Sequence, residues 1–340
     1  MTGKIVCFGE LLLRLAAPGR EVLLQSSRLD VHVGGAEANV AVSLACFGHP
    51  VAMAGVLPDN SLGRAARGEL RRHGVDTTAL ASAPGRMGLY FYTSGAGHRP
   101  SEVLYDRAAS AFAMTLPAHY DWPTILHGAR LLHLSGITPA LGPATAQAAL
   151  DAARAARASG VQVSFDGNFR AKLWAAWDGD PKATLHDLFA EADIAFADHR
   201  DIALVLDVDF AHIDDPLQRF RAAADAAFAE FPNLQRIAST RRTQSSVDHH
   251  HLGAMLAARD GDVQLCAQVE LGGIVDRIGG GDAFAAGVLH GLLSGMDDAA
   301  SLAFGQAAAC LKHYVPGDFN LVGVDDVMAL VQGERLDVRR

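Results

Sequence analysis

Along most of this chain, short apolar runs that suit buried strands alternate with longer runs of helical period, and that rhythm constrains the fold more than any other feature. Strands buried on both faces read as nearly continuous apolar stretches, and consecutive parallel strands need a crossover, usually a helix. Strands are predicted at 5–8, 51–54, 131–134, 161–165, 194–197 and 236–239, and helices at 37–47, 62–73, 143–158, 217–228, 283–294 and 299–313. The expected fold class is therefore α/β, a mostly parallel central sheet flanked by helices on both faces. With 340 residues, half of them hydrophobic, the chain can bury the core of one large domain. Neither an internal repeat nor a Pro/Ser-rich linker divides it, so one α/β domain is expected over residues 1–340.

Two segments interrupt the rhythm, at about 11–33 and 87–106, where strand patterns occur without crossover helices. In the second, "MGLYFYTSGAGHRPSEVLY" suggests a hairpin turning at Ser94-Gly95-Ala96-Gly97. Period two puts Tyr90 and Tyr92 on one face of that hairpin and Leu89 and Phe91 on the other. These segments are expected to form a small β-sheet lid over the C-terminal edge of the large sheet, where open α/β sheets bind ligands. Exposed strands of this kind also suit packing against a second copy, so a homodimer through the lid is expected.

Charge narrows the range of partners. A formal net charge of −9 and the lack of a basic stripe with interleaved aromatics leave no footprint for nucleic acid, and an anionic substrate would need local arginines. No window reaches 18 uncharged apolar residues, so no membrane partner is expected. The opening "MTGKIVCFGE" lacks a long apolar stretch behind basic residues, which points to a cytoplasmic protein. Cys7, Cys46, Cys266 and Cys310 lie far apart in apolar contexts without a C-x-x-C pair, as suits reduced core thiols. The run Asp248-His249-His250-His251 reads as a solvated loop or strand edge rather than a metal site, because adjacent residues of an extended chain point to alternating faces.

Two glycine-opened helix starts carry the chemistry. In "VDRIGGGDAFAAGVLHGLL", Gly279, Gly280 and Gly281 leave backbone N–H groups uncovered immediately before a buried helix, and a helix N-terminus favours an anion such as a phosphate. A lone GGGD is also an ordinary capped turn. The dinucleotide fingerprint fails because position 284 is Phe, and the P-loop pattern fails because the stretch has no lysine. If phosphate binds here, the loop and helix dipole hold it while Asp282 acts as a base on an incoming hydroxyl. In "VGGAEANVAVSLACFG", Gly34 and Gly35 precede a helix whose first turn holds Glu37 and Asn39, which suits a ligand hydroxyl or carboxylate, or equally a plain N-terminal turn. "VSFDGNFRAKLW" places Asp166, Asn168 and Arg170 in the loop after a buried strand, where functional residues concentrate. Arg107 follows the lid hairpin and Asp318 sits in a turn after the last long helix.

These residues carry a resemblance. "FGELLLRL", "VGGAEANVAVSLACFG", "GLYFY", "LYDRAASAFA", "HLSGITPAL", "SFDGNFRAKLW", "DRIGGGDAFAAG" and "KHYVPGDFNLV" resemble the ribokinase-like carbohydrate kinases of the PfkB family, and within it most of all the 2-keto-3-deoxygluconate kinases. The likeness runs from about residue 3 to residue 335. It implies a ribokinase-like fold and transfer of a phosphoryl group from ATP, with Mg2+, to the 6-hydroxyl of a sugar acid in an Entner–Doudoroff-type route. It also implies that Asp282 is the catalytic base and that Gly279, Gly280 and Gly281 form the anion hole. Gly34, Gly35, Ala36, Glu37, Ala38, Tyr90, Tyr105, Arg107, Arg170 and Asp318 would line the sugar pocket, with Arg107 and Arg170 handling the substrate's carboxylate and phosphate charge. The nucleotide would meet Asn168, Gly279, Gly281 and, in a loop after the strand at 236–239, Thr240 and Arg242 of "STRRTQ".

The chain departs from the family pattern in two places. The Asn-x-x-Glu motif, which helps organise magnesium and phosphates, falls at Asp198-His199-Arg200-Asp201, so both defining residues are replaced, and Asp201 is left to act on the metal through water. Arg241 and Thr243 stand where relatives usually carry an apolar residue and an acid or glycine. Two other readings share most of these motifs. One is another PfkB sugar kinase, such as a fructokinase or a kinase for a related keto-deoxy acid; the other is a non-catalytic sugar-binding homologue, against which the intact Asp282 and its glycine loop argue.

Overall fold

The computed structural model describes residues 3–333. Its strands are β1 (Lys4–Phe8), β2 (Leu12–Ala16), β3 (Asp30–Gly34), β4 (Val51–Pro58), β5 (Leu80–Ala83), β6 (Leu89–Thr93), β7 (Glu102–Asp106), β8 (Ala129–Ser135), β9 (Gln162–Asp166), β10 (Ile194–Phe196), β11 (Arg236–Ser246), β12 (His249–Ala258) and β13 (Gln264–Gly272). The helices are α1 (Ala36–Cys46), α2 (Ser61–Arg72), α3 (Trp122–Ile125), α4 (Pro143–Ala158), α5 (Ala171–Trp174), α6 (Pro181–Glu191), α7 (His199–Leu206), α8 (Pro216–Glu230), α9 (Gly280–Leu293), α10 (Asp298–Lys312) and α11 (Val324–Val331).

Nine strands form one sheet in the order β13-β12-β11-β10-β9-β8-β1-β4-β5. The stretch from β11 to β5 is parallel, and β11, β12 and β13 continue it as an antiparallel meander. The period of two in the central strands explains why helices cover both faces. Val6, Phe8, Leu132, Leu134, Val163 and Phe165 enter one apolar layer, while Ile5, Cys7, Met53 and Leu131 enter the other. The six strands predicted for the large sheet are present; β5, β12 and β13 were not anticipated. With Gln268 and Glu270 exposed, β13 lacks the continuous apolar run of a doubly covered strand, whereas β12 carries such a run, Leu252 to Ala257, buried throughout behind a histidine start.

The two interrupting segments meet in a separate four-stranded sheet, ordered β3-β2-β6-β7, in which β2 and β6 are parallel and the outer pairs antiparallel. Tyr90 and Tyr92 point inward, packed with Leu12 and Ala16. On the outer face Val31 and Leu104 are exposed. Among the described residues no helix is long and apolar enough to cross a membrane.

Candidate active site

A cavity of about 970 Å³ lies between the lid and the carboxyl ends of β9, β10 and β11. Leu12, Tyr90, Val103 and Tyr105 line it from the lid, and Gly35, Ala36 and Asn39 from the start of α1. The loop after β9 adds Asp166, Asn168 and Arg170; the start of α7 adds Asp198, Arg200 and Asp201. Gly279 to Asp282 come from the start of α9, and Asp318 closes the far side. The two glycine-opened helix starts, 243 residues apart between Asn39 and Asp282, therefore converge: Asn39 Nδ2 donates to Asp282 Oδ2 at 2.6 Å.

The loop before α9 is built to bare its amides. Gly279 has φ of 81°, and a β-carbon there would lie 2.1 Å from the Asp318 carbonyl oxygen, so only glycine fits. Gly280 N–H turns back to Arg277 O at 3.3 Å and Ala283 N–H to Gly279 O at 2.9 Å. Among the described residues, the N–H groups of Gly281 and Asp282 between them have no chain partner. Beside Gly281 the space is open, with no heavy atom beyond its chain neighbours within 4 Å of where a β-carbon would sit. These are unpaired donors at the positive end of a 14-residue helix.

The loop is braced from below by a buried ion network. Asp276 accepts from Arg14 Nη2 at 2.7 Å, from Gly317 N at 3.0 Å and from Ile278 N at 3.0 Å. Arg14, 1% exposed, also pairs through Nε with Asp318 Oδ1 at 3.1 Å, and Tyr90 donates its hydroxyl to Asp318 Oδ2 at 2.6 Å. Lid strand β2, the glycine loop and the Asp318 turn are thus tied through one guanidinium, whose rigid fork suits two carboxylates.

Five carboxylates line the cavity, and three of them, Asp166, Asp201 and Asp282, crowd one another. Burial pushes Asp282 up to about 7, and the charges of Glu37 and Asp318 add to that rise while the Asn39 hydrogen bond and Arg170 oppose it. Burial, then Asp282 and Asp201, raise Asp166 to about 8. Burial and Asp198 raise Asp201 to about 6. A carboxylate near 7 is half ionised at neutral pH and can accept a proton from a hydroxyl bound beside it. Oxygen-only ligands that repel one another also fit a hard divalent cation such as Mg2+, which would relieve the repulsion. Five arginines, Arg107, Arg170, Arg200, Arg242 and Arg277, line the same cavity and set a local cationic field against the chain's negative balance.

The geometry sorts the candidate residues. Gly35, Ala36, Tyr90, Tyr105, Arg107, Arg170, Asn168, Thr240, Arg242, Asp201, Asp318 and the loop from Gly279 to Asp282 all line the cavity. Glu37 and Ala38 do not. Glu37 is 1% exposed and its Oε1 accepts from Ser135 N, Ser135 Oγ and Thr138 Oγ1 at 2.8 to 3.2 Å, so it holds α1 to the end of β8. Ala38 is fully buried because the helix turns it to the sheet side, and Gly34 is packed against Asp318, where a β-carbon would lie 2.3 Å from Oδ2. The segment 239–244, expected as a loop, is the continuation of β11 to Ser246. Alternation along that strand puts Thr240 and Arg242 on the cavity, while the departing residues Arg241 and Thr243 do not line it.

Arg107 is less free than expected: its Nε and Nη2 both go to Glu10, at 2.7 and 2.5 Å. Arg170 is exposed at the cavity, and among the described residues its guanidinium makes one hydrogen bond, to the adjacent Phe169 O at 3.2 Å. Asp198 is neutralised by Arg200, at 2.5 Å, and forms with Asp201 a capping box at the start of α7 in which Asp201 Oδ2 accepts from Asp198 N at 2.9 Å. Glu10, Arg14, Asn39 as a partner of Asp282, and Asp276 were not singled out from sequence. Only Arg14 had a signal, a charge inside the apolar run "LLLRLAA".

Comparison with known proteins accounts for this arrangement. The model of the pfkB family of carbohydrate kinases matches residues 2–230 and 250–319. The 2-dehydro-3-deoxygalactonokinase of Haloferax volcanii is 33% identical over 333 residues, covering 98% of each chain. The crystal structure of 2-dehydro-3-deoxygluconokinase from Thermotoga maritima superposes with a TM-score of 0.91 and 37% identity over 97% of this chain and 100% of that one. An E. coli protein solved in complex with ATP and Mg2+ shares the fold, with a TM-score of 0.81, at 19% identity over 98% of this chain and 100% of that one. With a ribokinase-like sheet, a small β-sheet lid and a glycine loop presenting a carboxylate to the cleft between them, the chain belongs to the PfkB family of carbohydrate kinases.

Proposed function

We propose that this kinase transfers the γ-phosphoryl group of ATP, with Mg2+, to the 6-hydroxyl of 2-keto-3-deoxygluconate, giving the 6-phosphate for an Entner–Doudoroff-type breakdown of sugar acids. The observation that carries the reading is the pairing of the Asp282 carboxylate, held by Asn39 and raised to about 7, with unpaired amides of the same turn. Asp282 takes the proton of the acceptor hydroxyl as that oxygen attacks phosphorus, and ADP leaves with the former bridging oxygen. The Gly281 and Asp282 amides grip the phosphoryl oxygens in transit, with Gly279 and Gly280 fixing the turn. A positioned base typically contributes about 10² to 10⁴ in rate, and preorganised donors a comparable factor.

Tyr90, Tyr105, Gly35, Ala36 and Asp318 form the sugar side, and Asn168, Thr240 and Arg242 the nucleotide side. Arg170 is the residue best placed to meet the substrate carboxylate or the phosphates, because Arg107 is already paired with Glu10. Mg2+ arriving with the nucleotide would neutralise phosphate charge, and Asp166 and Asp201 are the oxygens suited to hold it through water. The exposed Val31 and Leu104 support pairing of two copies through the outer face of the lid. The names of the two relatives support a keto-deoxy sugar acid as substrate. Coupled ADP release with 2-keto-3-deoxygluconate, its galactonate epimer, fructose and ribose tests the assignment. Turnover of the gluconate acid above the others is expected; good turnover of fructose or ribose without the acid would overturn it.

A further inference from the structure

The histidine run on β12 makes no contribution to the cleft, and its alternation has an unexpected outcome. His250 turns inward, fully buried, with its ring 6.2 Å from that of His313. His249 and His251, two residues apart, therefore share the outer face, with ring centroids 5.8 Å apart. The register of β12 on β13 sets Glu270 directly opposite His251, and Glu270 Oε1 lies 2.9 Å from His249 Nε2. One ligand atom from each of the three lies within 4.8 Å of the other two.

We propose that His249, His251 and Glu270 bind one transition-metal ion of the Zn2+ class. A tetrahedral ion with ligands at about 2.0 to 2.2 Å holds them roughly 3.4 Å apart. The three atoms are within small side-chain rotations of that spacing, and the His249 and Glu270 side chains, 41% and 66% exposed, are free to make them. Two imidazoles and a carboxylate select Zn2+, Ni2+ or Cu2+ over Mg2+, so the site is chemically distinct from the all-carboxylate cluster in the cleft. Water would complete the coordination. The hairpin also abuts the lid: Val247 N donates to Gly97 O at 3.4 Å and Asp248 pairs with Arg20 at 2.9 Å. A bound ion would fasten β12 to β13 immediately beside those contacts.

The test is calorimetric titration of untagged, metal-free protein with ZnCl2 and separately with NiCl2, in excess Mg2+, repeated on His251→Gln and Glu270→Gln. One equivalent should bind and raise the midpoint of thermal unfolding. Each variant should bind at least about tenfold more weakly, since losing even an outer partner of a metal ligand costs that much. Both variants should keep the wild-type midpoint without metal and the same MgATP-dependent kinase activity. Absence of a stoichiometric site in the wild type, or wild-type affinity retained by either variant, would overturn the proposal.

Discussion

Replacing Asn39 by alanine should displace the pH dependence of this kinase while leaving its fold intact. The amide of Asn39 donates to Asp282 Oδ2 at 2.6 Å, and this bond is the largest influence lowering the carboxyl's pKa against the burial that raises it to about 7. A hydrogen bond to a charged group is worth about 1.5 to 3 kcal/mol, which is roughly 1 to 2 pKa units. Without it the carboxyl should titrate correspondingly higher. The ionised fraction at pH 7 then falls from about one half to between roughly one tenth and one hundredth, a loss of about 5- to 50-fold in kcat/KM. The sign follows from the role of a base: activity rises as the group deprotonates, so the deficit should fade as pH is raised towards 10. Alanine suits the helix at this position, so the fold should survive. The assay is the pH profile of kcat/KM by coupled ADP release, wild type beside variant. A deficit of the same size at every pH, or an unmoved profile, would refute the assignment of Asn39 and Asp282 as a coupled pair.

Asp282→Asn should lower kcat by about 10² to 10⁴ while retaining sugar and nucleotide binding by calorimetry. The folded pKa of Asp282 lies above its ordinary 3.8, so its contribution to stability is complete below that value and is lost as pH rises through about 7. The same variant should therefore raise the unfolding free energy at pH 8 by about 1 to 4 kcal/mol and leave it nearly unchanged at pH 4, read from denaturant melts. Gly279→Ala, strained at φ of 81° and pressed on the Asp318 carbonyl, should destabilise the fold by more than about 1 to 3 kcal/mol and abolish activity with it. Arg107→Ala leaves the buried Glu10 without its cation and should cost about 3 to 5 kcal/mol of stability. Arg170→Ala should instead leave the melting temperature unchanged and raise KM for an acid substrate much more than for a neutral sugar.

Much of the architecture was legible because burial writes periodicity into sequence. The continuous apolar runs at β1 and β10, and the largely apolar ones at β8 and β9, mark strands covered on both faces, and Tyr90 and Tyr92 fall on one face of β6 by alternation alone. β13 is hard to read because most of it is exposed, β12 because three histidines precede its buried apolar run, and the strand character of 239–246 because "STRRTQSS" is polar throughout. At the candidate site, Gly279 and Asp282 were legible because a backbone geometry open only to glycine has to be encoded locally. Glu37 does not line the cavity: an acidic residue in the first turn of a helix looks the same in sequence whether it faces a cleft or accepts three hydrogen bonds from Ser135 at the end of β8 and Thr138 just after it.

The chain's own order of residues thus determined the layered α/β class, the lid segments and the two glycine-opened helix starts, since each follows from interactions over a few neighbouring positions. Tertiary structure alone decided that Asn39 would grip Asp282, that Arg14 would bind Asp276 and Asp318 at once, and that Arg107 would be held by Glu10. Those partners lie between 97 and 304 residues apart, and pairings at such distances are set by the packing of sheets and helices, which leaves no spacing for sequence to display.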